Sequence, residues 1–292
     1  MDFKDDARID SDVIGSAGGG GGRGGRVAVG GGAGIVVLLI AVFLGIDPAD
    51  LLGGSGQPAP APTSTRADVS QCRTGADVRR DPSCRWPAYA TSVNQFWDSR
   101  MKGYTKARTV PFRSSVSTAC GQADSRVGPF YCPGDQRIYL DTDFLSTMFT
   151  QLGTSSSTAA EAYVLAHEYG HHAQNLLGTM DKVHASGNRS GATSPAVRLE
   201  LQADCYAGAY LRWAGENPDD LVDNVTREDL RKVVEAARAV GDDHIQSQSS
   251  GGVNPDAWTH GSSSMRVHWT LRGYDSGSPR SCDTFSTDKL DG

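Results

Sequence analysis

Two histidines four residues apart bracket a glutamate in the run His167-Glu168-Tyr169-Gly170-His171. The pattern H-E-x-x-H has its use on an α-helix, where residues four apart stand on one face. There the two imidazoles meet one metal ion. Glu168 projects from a neighbouring face, within reach of a water on that metal without being a ligand. The flanking residues favour the helix. Thr158 and Glu161 read as a T-x-x-E capping box. Ala159, Ala160, Ala162, Val164, Leu165 and Ala166 carry the helix into the motif. Glu161 then has a capping role only. His172 lies about 100° around the helix from His171 and reads as a surface histidine, or one that supports a ligand from behind.

A second pair sits in Glu200-Leu201-Gln202-Ala203-Asp204. Ser194 suits the N-cap of a helix here, Pro195 its first turn, and Gly215 follows its end. Glu200 and Asp204 share a face. A catalytic zinc site takes three protein ligands and keeps one position open, so Glu200 is the expected third ligand. Asp204 is then placed to accept a hydrogen bond from the far nitrogen of a metal-bound histidine, fixing its tautomer. The flanking Leu199, Leu201, Ala203, Cys205, Ala207 and Ala209 predict a helix inside the protein, where carboxylates need partners. The extended motif H-E-x-x-H-x-x-G-x-x-H fails at Gln174 and Leu177. His184 is the rival third ligand, in a polar loop expected from Gly178 to Thr193. Cys205 lies about 140° from Glu200 around the helix and cannot share its metal.

The segments HEYGHHAQ, ELQADCYAG, WTHGSSSMRVHW and GPFYCPGDQRIYLD resemble the bacterial family of neutral zinc metallopeptidases. The resemblance runs from about Trp86 to Phe285. That family is similar to the zincin metallopeptidases, whose third ligand is glutamate. The E-x-x-A-D spacing also resembles the membrane-linked peptidases that process prenylated proteins. The resemblance implies Zn²⁺ on His167, His171 and Glu200, with Glu168 as general base in the hydrolysis of a peptide bond by a zinc-activated water. It also places Trp258-Thr259-His260-Gly261-Ser262 near the site, which makes His260 the candidate donor to the developing oxyanion. His268 and Tyr274 are its rivals, and His268 stands where the family has a basic residue. His244 reads as a histidine at a helix end or in a loop.

The rest of the chain bounds where such a site works. The 292 residues allow one substantial domain plus extras, and the net charge of −6 with no basic patch excludes nucleic acid as a partner. Residues 1–26 are Gly-rich and charged, and predict a disordered tail. Residues 27–46, VAVGGGAGIVVLLIAVFLGI, have the length and apolarity of one transmembrane helix. Lys4, Arg8, Arg23 and Arg26 precede it and only Arg66 follows closely, which predicts a cytoplasmic tail and an extracytoplasmic domain. A cleaved signal peptide is the alternative. Residues 47–66, with QPAPAPTST, read as a Pro/Ala/Gly-rich linker before a domain over 67–292.

All six cysteines lie beyond the apolar run, as suits disulfides in an oxidising space. Local pairing predicts Cys72–Cys84 and Cys120–Cys132, leaving Cys205–Cys282 among fifteen possible connectivities.

The expected fold is α+β: a zincin-like domain with a small sheet beside the motif helix, preceded by a single transmembrane helix. Helices are expected over Tyr89 to Met101, Asp143 to Leu152 and Arg227 to Val240, the last capped by Thr226 and stopped by Gly241. Thr109 to Phe112, with Pro111 inside, predicts an edge strand. Phe130 to Cys132 and Arg137 to Leu140 predict a hairpin around Pro133-Gly134-Asp135. Ile138 to Asp141 is a candidate for the sheet beside the motif helix. The competing function is a catalytically silent zinc module that binds an envelope partner. It has no use for Glu168 and would close the open metal position. The expected partner is a peptide or protein substrate.

Overall fold

In the computed structural model, which describes residues 1–16, 69–248 and 252–292, the chain is α+β. It runs β1 (Asp2–Phe3), α1 (Gly75–Arg80), α2 (Arg85–Arg100), β2 (Arg108–Phe112), β3 (Ser115–Thr118), β4 (Gly121–Asp124), β5 (Phe130–Cys132) and β6 (Arg137–Asp141). Then follow α3 (Thr142–Gln151), α4 (Thr158–Leu176), α5 (Thr179–Ser186), α6 (Pro195–Glu216), β7 (Val222–Asn224), α7 (Arg227–Ala239), α8 (Asp242–Ser247) and α9 (Ser263–Ser276). The apolar run 27–46 and the linker 47–66 lie outside the described residues. Among those described, no helix is long and apolar enough to cross a membrane.

The three-stranded sheet has the order β2-β6-β5, with β2 parallel and β5 antiparallel to β6. Pro111 lies on an edge strand, as its missing N–H requires, while Ile138 to Asp141 is central. In the β5–β6 turn it is Gln136, at φ 57°, that takes the left-handed conformation, and its N–H donates to the Cys132 carbonyl. Helix α4 packs across β5 and β6.

Three close helix contacts set the core. At Gly170 of α4 a Cβ would stand 3.2 Å from the Ala203 Cα of α6. The missing side chain draws the two motif helices together. Where α6 crosses α9, a Cβ on Gly208 would meet the Thr270 carbonyl oxygen at 2.0 Å, and one on Gly273 the Cys205 oxygen at 1.9 Å. Neither position admits a side chain without separating the helices. The cysteines pair as Cys72–Cys84, Cys120–Cys132 and Cys205–Cys282.

Several expectations need correction. The first residue to cap α4 is Ser157, whose hydroxyl accepts from the Ala160 N–H. Glu161 is taken instead by Arg85 in a two-bond ion pair at 2.6 and 3.1 Å, which fastens the start of α2 to α4. Half of the expected 178–193 loop is helix α5. Gly215 lies within α6, packed against Val225, and the helix ends one residue later.

The tail departs most from expectation. Residues 1–16 are ordered against the domain, not disordered. Phe3, Ile9 and Val13 are buried, with Phe3 against Tyr89. The Lys4 ammonium donates to the carbonyls of Asn217, Pro218 and Asp220. The Gly15 N–H donates to the Thr109 carbonyl and Ile14 bridges Thr109, which adds one bridge to the outer edge of β2, short of Pro111. Buried side chains four to six residues apart in a polar stretch supply that packing, and composition alone hides them.

Candidate metal centre

Gly170 and Ala203 bring His167 and His171 of α4 face to face with Glu200 of α6. One ligand atom from each lies within 4.8 Å of the others, and all three side chains are buried. His167 Nε2 stands 3.1 Å from Glu200 Oε2 and 3.1 Å from His171 Nε2, and His171 Nε2 stands 3.4 Å from Glu200 Oε1. Ligand atoms about 2.0–2.2 Å from a tetrahedral zinc are about 3.3–3.6 Å apart, close to these separations. The spacing therefore suits zinc.

The outer partners decide what these nitrogens offer. His167 Nδ1 lies 2.9 Å from Asp204 Oδ1. Asp204 also accepts from the Tyr163 hydroxyl at 2.5 Å and from Arg266 Nε and Nη2, both at 2.8 Å. A carboxylate so held has only acceptors, so His167 Nδ1 carries the proton and Nε2 offers its lone pair. Gln174 does the same for His171: its Oε1 lies 2.8 Å from Nδ1, while its Nε2 donates to the Leu199 carbonyl at 2.7 Å. Two lone pairs and a carboxylate thus converge in a buried space, an arrangement that repels itself unless a cation lies between. Without one, a proton must do the work. Burial would lower His167, but Asp204 and then Glu200 push it up to about 10. Asp204 itself is held down to about 2, against burial, chiefly by Arg266.

Glu168 is buried and its Oε2 has no hydrogen-bond partner among the described residues. Burial raises its pKa, opposed by the two motif histidines. A carboxylate left so is a base waiting for a proton.

His260 reaches the same centre from the loop before α9. Its Nε2 is 3.9 Å from Glu200 Oε2. Asp242, at the start of α8, builds that loop: its Oδ2 accepts the backbone N–H groups of Thr259, His260 and Gly261 at 2.8, 2.8 and 2.9 Å. Burial lowers the His260 pKa, but Glu200 and Asp242 raise it on balance. The rivals are engaged elsewhere. His268 lies edge-on to Trp269 and against Gly292, and the Tyr274 ring lies under the Arg212 guanidinium. His184 lines a small cleft with Val183, Arg189, Leu199, Glu200 and His260, outside the ligand cluster. His172 is buried rather than at the surface, between the Tyr131 hydroxyl at 3.1 Å and the Thr105 carbonyl at 2.7 Å.

Four supporting residues escaped the sequence reading. Tyr163 stands four residues before His167 and Gln174 three after His171, so helical spacing was available for both. Arg266 lies in the WTHGSSSMRVHW segment, and Asp242 acts on residues 17 to 19 positions away, where no local pattern shows it.

The family described as "Putative neutral zinc metallopeptidase" matches residues 2–285, so the chain belongs to that family. It is 44% identical over 255 residues to the uncharacterized protein Rv2575 of Mycobacterium tuberculosis, covering 86% of each chain. It is 36% identical over 259 residues to the uncharacterized protein YpfJ of Escherichia coli K12, covering 86% of this chain and 85% of that one. No solved structure matches it.

Proposed function

We propose that this chain is a zincin-like, zinc-dependent metallopeptidase that hydrolyses peptide bonds, with His167, His171 and Glu200 as ligands. The observation that carries the reading is the convergence of three acceptors beside a buried Glu168 oxygen with no partner. A site built for stability alone has no use for that oxygen. Zinc held there supplies Lewis acidity toward a carbonyl oxygen and lowers the pKa of a bound water toward about 7. Glu168 takes the proton from the attacking water and passes it to the leaving amine. His260 donates to the carbonyl oxygen as charge develops on it. Asp204 and Gln174 hold the two imidazoles in the tautomers that ligate.

Metal analysis and a peptide-library cleavage assay test the reading together. Zinc is expected at one per chain, with cleavage lost on chelation and restored by zinc. His260→Ala in the same assay is expected to keep zinc and lose about 10²–10³ in kcat. Cleavage that survives complete removal of metal rules the mechanism out.

The three disulfides support a domain in an oxidising compartment, and the run 27–46 supports a membrane tether. Because residues 1–16 pack on the domain, we place both flanks of that run in one compartment, so that it enters the membrane without crossing it, in place of the single crossing and cytoplasmic tail expected from the sequence. Asp12 is exposed and all six native cysteines are paired, so Asp12→Cys is expected to react with a membrane-impermeant thiol reagent on intact cells. Reaction only after the cells are opened sinks that placement.

A further inference from the structure

Behind His171 a line of buried amides leads away from the metal centre toward the C-terminal segment. Gln174 Nε2 donates to Gln202 Oε1 at 3.1 Å as well as to the Leu199 carbonyl. Gln202 Nε2 donates to the Cys282 carbonyl at 2.9 Å. Cys282 is bonded to Cys205 of α6, three residues after Gln202. Its neighbour Thr284 is tied down twice, its hydroxyl on the Arg198 carbonyl at 2.7 Å and its own carbonyl on Arg198 Nη1. Gln174, Gln202 and Cys282 are all buried.

The direction of every bond follows from two backbone carbonyls, that of Cys282 at the far end and that of Leu199 beside Gln174. A backbone carbonyl accepts only, so Gln202 must turn its NH₂ to Cys282 and its oxygen to Gln174. Gln174 must then turn its NH₂ toward Gln202 and Leu199 and its oxygen toward His171. An oxygen there requires Nδ1–H on His171, which leaves Nε2 unprotonated toward Glu200 and His167. We infer that the disulfide-anchored Cys282 carbonyl, acting through Gln202 and jointly with the Leu199 carbonyl on Gln174, sets the ligating tautomer of His171. Gln174 and Gln202 are positioning residues, and the C-terminal segment is part of the metal centre. The inference rests on the reading of His171 as a metal ligand and not on any hydrolysis.

A double-mutant cycle read as zinc affinity tests it, by chelator competition on the full chain. Methionine keeps the volume of glutamine and removes its hydrogen bonds. Gln174→Met is expected to weaken zinc about 10–100-fold, the usual effect of losing a partner behind a ligand. Gln202→Met is expected to weaken it about tenfold. The double variant is expected to bind no more weakly than Gln174→Met alone, because both act along one line. In the zinc-loaded protein, the His171 Nδ1 proton is expected to exchange with solvent faster in Gln202→Met than in wild type. Wild-type zinc affinity in Gln202→Met, or losses that multiply in the double variant, overturns the relay. Should Gln202→Met not fold, Cys205→Ala with Cys282→Ala leaves both glutamines in place. It is expected to weaken zinc in the same direction, and unchanged affinity there overturns the relay equally. A wild-type chain that holds no zinc removes the ligand reading, and the relay with it.

Discussion

Glu168→Gln is expected to keep zinc and lose hydrolysis by about 10²–10⁴-fold in kcat, the range a positioned general base contributes. The substitution changes no shape. Glutamine fills the same volume, and the three ligand atoms do not involve residue 168. What it removes is the capacity to take a proton from the attacking water. Stability points the other way. Glu168 is buried with one oxygen unpartnered, and burial raises its pKa, so its charged form is held at a cost. A neutral amide there costs less to bury than a carboxylate. The variant should therefore melt no lower than wild type while losing activity, the pattern of a site kept for function rather than for folding. The measurement is kcat on a peptide drawn from the library, beside zinc content and a melting curve. Cleavage at the wild-type rate makes the general-base assignment wrong. A fall in both zinc and melting temperature makes Glu168 structural.

The two motifs were legible because helical spacing is local. Residues four apart must share a face, so His167 with His171 and Glu200 with Asp204 followed from the chain itself. The disulfides were legible for a related reason: two of the three close short loops of 12 residues, which left one pair over. The fold class and the β5–β6 hairpin came from period and turn residues. Supports that reach across the fold were not legible. Arg266 meets Asp204 from 62 positions away, and Cys282 meets Gln202 from 80. The tail misled for a different reason. Its glycines and charges match the composition of disorder, but Phe3, Ile9 and Val13 each find a buried place, and Lys4 caps three carbonyls left open after α6. Composition weighs the average residue, whereas docking needs only a few well-placed ones.

Arg266→Met is expected to be the most destabilising single change near the centre. Asp204 and Arg266 are both buried, and the guanidinium meets the carboxylate through two bonds of 2.8 Å. Removing one partner of such a pair strands the other charge, at a cost of about 3–5 kcal/mol. Here the stranded group is Asp204. Burial alone would raise its pKa, and Arg266 is the largest influence holding it down to about 2. Without the guanidinium, Asp204 Oδ2 has no described partner, and the carboxyl moves toward its protonated form. That move reaches the metal. A protonated Asp204 no longer demands the proton of His167 Nδ1, so the tautomer that presents Nε2 to the metal loses its support. Arg266→Met should therefore lose zinc affinity as well as stability, although Arg266 touches no ligand. Arg266→Lys keeps the charge but not the fork, and a lysine cannot reproduce the two parallel bonds. It should fall between wild type and methionine in both measurements. Denaturant midpoints report the stability and chelator competition the affinity. A stable Arg266→Met that binds zinc as tightly as wild type means that Asp204 is held by Tyr163 and His167 alone, and that the guanidinium contributes nothing to the centre.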